Sequence, residues 1–241
     1  MKAMIYTGGL ESSMKPHSSG RPRALTGING EPLLGMLIRR LAERGFTEII
    51  VNVHHFAGRI YEFISQKDFG DIRIELFDET DLVLDSGGGL KKVAWFFDDA
   101  RPFLVYYLEV LSETDPALMY ENHLRSGALA TLLVRDRESS RYMLFDNNMR
   151  LCGWQNTETG EEVIFADHRG DLIKYAFSRI QVLSPAIFNL MPREDVFSLV
   201  DIYLHLAPRY PVIGYVDNDS IWMDLARAEG IIEAEKLFRK N

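Results

Sequence analysis

The chain has 241 residues, enough to bury the core of one α/β domain, and its 46% hydrophobic and 26% charged residues are ordinary for a globular protein. The formal net charge of −8 argues against a general nucleic-acid binder, because such proteins need basic surface to displace counterions from phosphates. The single Cys152 cannot form an internal disulfide, and no apolar run has the length of a signal-peptide core or a membrane span. We therefore expect a cytoplasmic protein with no nucleic-acid or membrane partner.

The first 135 residues predict strands that alternate with helices. Short apolar runs predict strands over residues 2–7, 47–53, 71–77, 101–110 and 128–134. Apolar residues at helical spacing predict helices over residues 33–45, 57–66, 90–97 and 115–127. This alternation indicates right-handed βαβ units and a Rossmann-like, mostly parallel sheet flanked by helices.

The second half predicts a different, β-rich pattern. Residues 141–154 predict a hairpin that turns at Asp146–Asn148, and further strands are expected over residues 173–184 and 211–216. Helices are expected over residues 198–207 and 227–240. With no repeat or linker in sight, we expect a single α/β domain over residues 1–241. It would combine an α/β half, residues 1–135, with a small β-rich elaboration, residues 136–241.

Three candidate ligand features lie after a predicted strand or directly before a predicted helix. They are the turn "TGGL" at residues 7–10, the turn "DSGGG" at residues 85–89, and the carboxylate Glu109. In open α/β sheets, ligands bind beyond the carboxyl ends of strands, where the strand order reverses. Glycines there let backbone N–H groups approach phosphate oxygens closely. The pattern therefore predicts a nucleotide site at one edge of the sheet.

The chain resembles the sugar-1-phosphate nucleotidyltransferases over nearly its whole length. The resemblance is carried by residues 1–34 and by "GFTEIIVNVHHFAGRI", "DSGGGLKK", "FLVYYLEVLS", "SGALATLLVRDRESSRYMLFD", "LCGW", "AFSRIQVLSP", "FSLVDIYL" and "WMD". It is strongest to the short bacterial mannose-1-phosphate guanylyltransferases and N-acetylmuramate-1-phosphate uridylyltransferases. The resemblance implies the nucleotide-diphospho-sugar transferase type of fold, in which residues 1–135 would be the nucleotide-binding half and residues 136–241 the sugar-binding half. It also implies a reaction in which UTP or GTP and a sugar 1-phosphate give an NDP-sugar and pyrophosphate, with Mg²⁺.

The resemblance also assigns roles to individual residues. The nucleotide would contact the loop and turn residues Thr7, Gly8, Gly9, Leu10, Asp85, Gly87 and Gly88. The catalytic residues would be Arg23, Glu109 and Asp224, and the two carboxylates among them would hold Mg²⁺. The sugar would contact Trp154, Asn156 and Arg179.

Several of these positions depart from the family pattern. In the loop, Glu11 stands at a glycine and Ser13 at the arginine that neutralises the reacting phosphates. Glu109 replaces the usual aspartate, Arg23 replaces a lysine, and Arg179 replaces a glycine of the sugar pocket. A carboxylate at position 11 repels phosphate, and the loss of an arginine at such a site costs about 10³–10⁵ in rate.

These departures leave three hypotheses open. The chain is a nucleotidyltransferase in which Arg23, together with Lys15, takes over from the missing arginine. Alternatively it is a catalytically degenerate paralogue, a nucleotide-sugar sensor or a partner subunit, paired with itself or with an active relative. A third hypothesis is a variant whose site residues were rewritten by engineering.

Overall fold

The computed structural model describes residues 1–8, 22–81, 84–165, 170–225 and 228–237. The strands in the first half are β1 Lys2–Tyr6, β2 Gly27–Ile28, β3 Glu31–Pro32, β4 Glu48–Val53, β5 Arg73–Asp78, β6 Phe103–Tyr107, β7 Val110–Ser112 and β8 Ala130–Arg135. Those in the second half are β9 Arg141–Phe145, β10 Leu151–Asn156, β11 Glu162–Ile164, β12 Ile173–Leu183, β13 Val212–Val216 and β14 Trp222–Asp224. The helices are α1 Leu33–Glu43, α2 Ala57–Gln66, α3 Ser86–Lys92, α4 Pro116–Ser126, α5 Leu199–Leu206 and α6 Ala228–Leu237.

One mixed sheet organises the molecule. Its strand order is β11-β10-β9-β12-β6-β1-β4-β5, and β12 also carries β8, which in turn carries β13. β1 is parallel to β4 and β6, and β5 is parallel to β4. β12 is antiparallel to β6, β8 and β9. The predicted α/β fold is confirmed, with its parallel strands around β1 and its β-rich elaboration attached through β12.

Helices cover both faces of this sheet. Along β1, Ala3 and Ile5 point into one apolar cluster, while Met4 and Tyr6 point into the other. The first cluster takes in the apolar stripe of α1 with Ile60 of α2 and Met119 of α4. The second takes in Leu90 of α3 and the buried face of α5. Because a parallel strand is buried on both sides, it reads as a continuous apolar run, as β1 does.

Most predicted elements are confirmed, and two that differ from the prediction lie near the expected site. The strand predicted over residues 101–110 is two strands, β6 and β7, because the chain turns at Leu108 and Glu109. The helix predicted from residue 90 begins at Ser86, so it contains the three glycines that the sequence placed in a turn. Tertiary packing outweighs the low helix propensity of glycine there. The sequence analysis did not predict the short strands β2, β3, β11 and β14.

None of the helices in the described ranges combines the length and the apolar character needed to cross a bilayer.

Candidate functional site

The site is built where the strand order reverses, between β1 and β6. These strands are parallel neighbours with Tyr6 opposite Tyr107, and the two phenol rings stack with centroids 4.9 Å apart. The next residues stay close, since the Leu108 N–H donates to the Tyr6 carbonyl at 2.9 Å. Thr7 is anchored to the Asn52 carbonyl by its N–H at 3.2 Å and its hydroxyl at 2.9 Å. Thr7, Gly8 and Glu109 therefore lie at one edge of the sheet.

Part of the predicted phosphate loop falls outside the described residues. Gly9, Leu10, Glu11, Ser13 and Lys15 all belong to that part. Arg23 begins a short 3₁₀ helix, Arg23–Leu25, but its side chain is also outside what the structure describes. The roles expected for these residues stay predictions.

The structure brings the two predicted metal-binding carboxylate residues together through their backbones. β14 pairs with β7 so that Asp224 lies opposite Val110. Directly next to this pair, the N–H of Leu225, which follows Asp224, donates to the carbonyl of Glu109, which precedes Val110, at 2.7 Å. Residues that are more than a hundred positions apart in sequence thus become neighbours at the carboxyl edge of the sheet.

Glu109 forms an ion pair with Arg179. The Glu109 side chain is only 14% exposed, whereas that of Arg179 is 41% exposed. Arg179 lies in β12 where its pairing with β8 is irregular, between Phe177 and Gln181, and its φ is +59°. A left-handed backbone favours glycine, the residue that the family pattern places here. Two departures noted separately in the sequence, Glu109 and Arg179, therefore contact each other.

A second arginine lies near Asp224. The Arg137 guanidinium stacks 4.3 Å from the centre of the Trp222 ring and donates to the Phe177 and Glu138 carbonyls, each at 3.1 Å. Burial lowers the pKa of Arg137, and the negative charge of Asp224 opposes that shift. Both carboxylates of the expected metal site therefore lie close to guanidinium groups. Among the described residues, no group of three or more His, Cys, Asp or Glu side chains could hold a metal ion.

The three glycines of α3 pack against the chain itself. Asp85 caps the helix by accepting the Ser86 N–H, and the Gly87 N–H donates to the Phe197 carbonyl at 2.9 Å. A Cβ on Gly87 would lie 2.2 Å from the Phe197 ring, and one on Gly88 would lie 1.9 Å from the Asp195 carbonyl oxygen. This packing alone explains why positions 87 and 88 are glycine. Their predicted contact with a nucleotide base stays a prediction.

Buried polar side chains lie close to Gly89. A Cβ at Gly89 would lie 3.1 Å from Glu79 Oε2, 3.3 Å from Asn52 Nδ2 and 3.4 Å from the Tyr6 ring. Burial raises the pKa of the Glu79 carboxyl, and Asn52 and His54 partly offset that rise. Sequence reasoning missed this group. The sequence feature that could have indicated it is Asn52, an amide inside the apolar run of β4, because a buried polar side chain requires hydrogen-bond partners.

The predicted sugar contacts divide into two places. Arg179 belongs with the carboxylates, whereas Trp154 and Asn156 lie on β10. Trp154 is opposite Met143, which is opposite Tyr175 of β12, so β10 lies two strand spacings, roughly 10 Å, from β12. The buried Asn156 accepts the N–H groups of Glu158 and Thr159 at 3.0 and 3.3 Å, and so shapes the turn into β11.

The chain is similar to curated proteins over nearly its whole length. No family model matches the chain. Among curated proteins, it is 25% identical over 244 residues to a UTP–glucose-1-phosphate uridylyltransferase of Synechocystis, covering 94% of this chain and 60% of that protein. It is 24% identical to an N-acetylmuramate alpha-1-phosphate uridylyltransferase of Caulobacter vibrioides, covering 97% of this chain and 95% of the relative. The chain is a relative of the sugar-1-phosphate nucleotidyltransferases. Mannose-1-phosphate guanylyltransferases also stand among its curated relatives.

A solved structure confirms the nucleotidyltransferase type of fold. The UDP-glucose pyrophosphorylase solved with UDP-glucose superposes with a TM-score of 0.73 at 13% identity, covering 98% of this chain and 97% of the other. The expected nucleotide-diphospho-sugar transferase architecture is therefore correct. The chain spans 60% of the Synechocystis relative's length, whereas it spans nearly all of the Caulobacter one.

Proposed function

We propose that this protein binds a nucleoside triphosphate, UTP or GTP, at the reversal of strand order and transfers its nucleotidyl group to a sugar 1-phosphate. The observation that supports this is the convergence of Thr7, Gly8, Glu109 and Asp224 at the carboxyl edge of β1 and β6. Open α/β sheets bind ligands at that place. The relatives' names supply the substrate class, since they include uridylyl- and guanylyltransferases. We also propose that the reaction takes place in the cytoplasm.

The reaction needs positioning and charge more than it needs proton transfer. A phosphate oxygen of the sugar 1-phosphate attacks the α-phosphorus of the triphosphate. The bond from that phosphorus to the bridging oxygen breaks, and pyrophosphate leaves with the electron pair. The attacking phosphate is already ionised, so no general base is required. Hydrogen-bond donors, namely N–H groups held in fixed positions at this edge of the sheet, would stabilise the negative charge that develops on the α-phosphate oxygens.

The Mg²⁺ that the resemblance implies does not fit the described residues well. Mg²⁺ requires oxygen ligands in near-octahedral geometry. Glu109, the first expected ligand, is paired with Arg179, and Arg137 lies near the second, Asp224. Glutamate is also one methylene longer than the usual aspartate. The described residues therefore do not form a Mg²⁺ site.

A second function is favoured by the same ion pair. If the Glu109–Arg179 contact persists with ligand bound, the site can hold a nucleotide sugar without catalysing its formation. The protein would then act as a nucleotide-sugar sensor, or as a partner subunit of an active relative. The substitutions Glu11 and Ser13 in the loop point the same way.

Calorimetric titration followed by a pyrophosphate-release assay tests both functions. The protein is titrated with UTP, GTP, a UDP-sugar and a GDP-sugar, with and without Mg²⁺. Binding of one triphosphate, followed by pyrophosphate release on addition of a sugar 1-phosphate, supports the transferase. Binding of a nucleotide sugar with no release under any condition supports the sensor. If none of these ligands binds, the transferase and the sensor are both excluded, and the role of partner subunit is the one that is left.

A further inference from the structure

We propose that Arg179 is a built-in cation that replaces the divalent ion at Glu109, so that this chain binds nucleotide phosphates through a guanidinium group. The proposal rests on the proposed nucleotide site and adds to it the chemistry of phosphate recognition. In this arrangement Arg179 has two roles, because its side chain both neutralises Glu109 and contacts the phosphate.

The backbone at Arg179 shows that its position is maintained at a cost. Its φ of +59° lies in the left-handed region, where a residue with a Cβ costs about 1–2 kcal/mol. The residue also lies within the irregular stretch of β12 between Phe177 and Gln181. Such irregularities redirect side chains and are common beside active sites. Strained residues persist when their surroundings hold them in place, and here the Glu109 carboxylate does so.

The charges at this edge of the sheet balance without a divalent ion. Glu109 is largely buried, so its carboxylate needs a partner, and Arg179 supplies one. Arg137 places a second positive charge near Asp224. Two guanidinium groups carry the same total charge as one divalent ion. A metal at Glu109 would compete with Arg179 for the carboxylate and would meet repulsion from both arginines.

Arg179 can hold Glu109 and a phosphate at the same time. A guanidinium has five N–H donors, and a carboxylate in the fork geometry accepts two of them. The Arg179 side chain is 41% exposed, so part of it is accessible to a ligand from solvent. Burial raises the pKa of Tyr107 on β6, and the positive charge of Arg179 partly offsets that rise. The two side chains are therefore near each other. The guanidinium therefore lies at the reversal of strand order, where the phosphates of a bound nucleotide are expected.

The first test measures binding of Mn²⁺ alone, by the loss of its free-ion electron paramagnetic resonance signal. The variant Arg179→Gly suits the left-handed backbone and frees the Glu109 carboxylate. We expect the unaltered protein to bind Mn²⁺ weakly and Arg179→Gly to bind it about tenfold tighter or more. The double variant Arg179→Gly with Glu109→Gln should lose that gain. Arg101→Gln, which removes an exposed arginine just before β6 at the opposite edge of the sheet, is the control. Equal Mn²⁺ affinity in the unaltered protein and Arg179→Gly would overturn the proposal.

The second test measures binding of UTP and of UDP-glucose by calorimetry, in EDTA and in Mg²⁺. We expect the affinity of the unaltered protein to be the same in both media. Arg179→Gly should lose about 10- to 100-fold in EDTA, the value of a charged hydrogen bond, and regain affinity with Mg²⁺. A strict requirement for Mg²⁺ in the unaltered protein would overturn the proposal. If neither protein binds nucleotide while the Mn²⁺ result holds, the proposed function fails and the displacement of the metal stands.

Discussion

Gly87 and Phe197 lie in direct contact across the two halves of the chain. The N–H of Gly87 donates to the Phe197 carbonyl at 2.9 Å, and the aromatic ring fills the space that a Cβ on Gly87 would occupy. The first turn of α3 is therefore shaped by a residue more than a hundred positions away.

We predict that Gly87→Ala destabilises the protein by about 2–3 kcal/mol, since a methyl group added 2.2 Å from the Phe197 ring forces the two segments apart. Gly58 offers a matched control. It is the second residue of α2 as Gly87 is of α3, and a Cβ there meets nothing within 4 Å. Gly58→Ala should therefore be neutral or stabilising by up to about 1 kcal/mol. Urea unfolding of both variants checks this, and similar free-energy changes would contradict it.

Stability should depend on pH through His123. This side chain is buried between α4 and β8, with Nδ1 2.8 Å from the Thr131 hydroxyl and Nε2 3.0 Å from the Ser184 hydroxyl. Burial lowers the pKa of His123 to about 4. The folded state therefore favours the neutral ring, and the unfolded state binds the extra proton between pH 6.5 and pH 4. The resulting contribution is complete above pH 6.5 and is lost as the pH falls toward 4, by about 3 kcal/mol in all.

Urea unfolding from pH 4.5 to 7.5, with His123→Gln alongside, isolates this contribution. The other titrating groups are common to both proteins, so they cancel in the difference between the two free energies of unfolding. We expect the unaltered protein to lose stability relative to the variant as the pH falls. Parallel curves would show that His123 titrates normally in the folded protein.

Lys91 should hold the segment 192–197 on α3. Its ammonium group donates to the carbonyls of Pro192, Arg193 and Glu194, each at 2.9 Å. Lys91→Met removes all three hydrogen bonds, and we expect faster amide exchange across residues 192–197. Lys92→Met is the control, because its partner Asp195 is exposed and such pairs contribute little. Equal exchange in the two variants would show that Lys91 does not hold the segment.

Asn156 should act on the turn between β10 and β11. Asn156→Ala leaves the N–H groups of Glu158 and Thr159 without their acceptor, at a cost of about 1–2 kcal/mol. Asn156→Asp keeps the accepting oxygen and should retain most of that stability. Thermal unfolding of both variants distinguishes them. If the aspartate variant is as unstable as the alanine variant, the acceptor oxygen is not what matters.

The sequence predicts elements better than it predicts contacts between them. The apolar run of β1 and the amphipathic stripe of α1 are local patterns, and both elements form where expected. The start of α3 was placed too late, because three consecutive glycines disfavour a helix unless distant residues such as Phe197 pack on them. The sites of Glu109 and Arg179 were both noted in the sequence. Their pairing depends on β12 lying antiparallel beside β6, which no local pattern specifies.

The insertion of β12 has a consequence for how the chain is made. β8 has only β12 and β13 as strand neighbours among the described residues, and both come later in the sequence. At translation rates of about 5–20 residues per second, β8 waits roughly 2–10 s on the ribosome before residues 176–183 emerge. During that interval an entirely buried strand, "ATLLVR", has both edges unpaired. The nascent chain is then most exposed to chaperones and to aggregation, and a chain truncated within this interval would lack both strands that pair with β8.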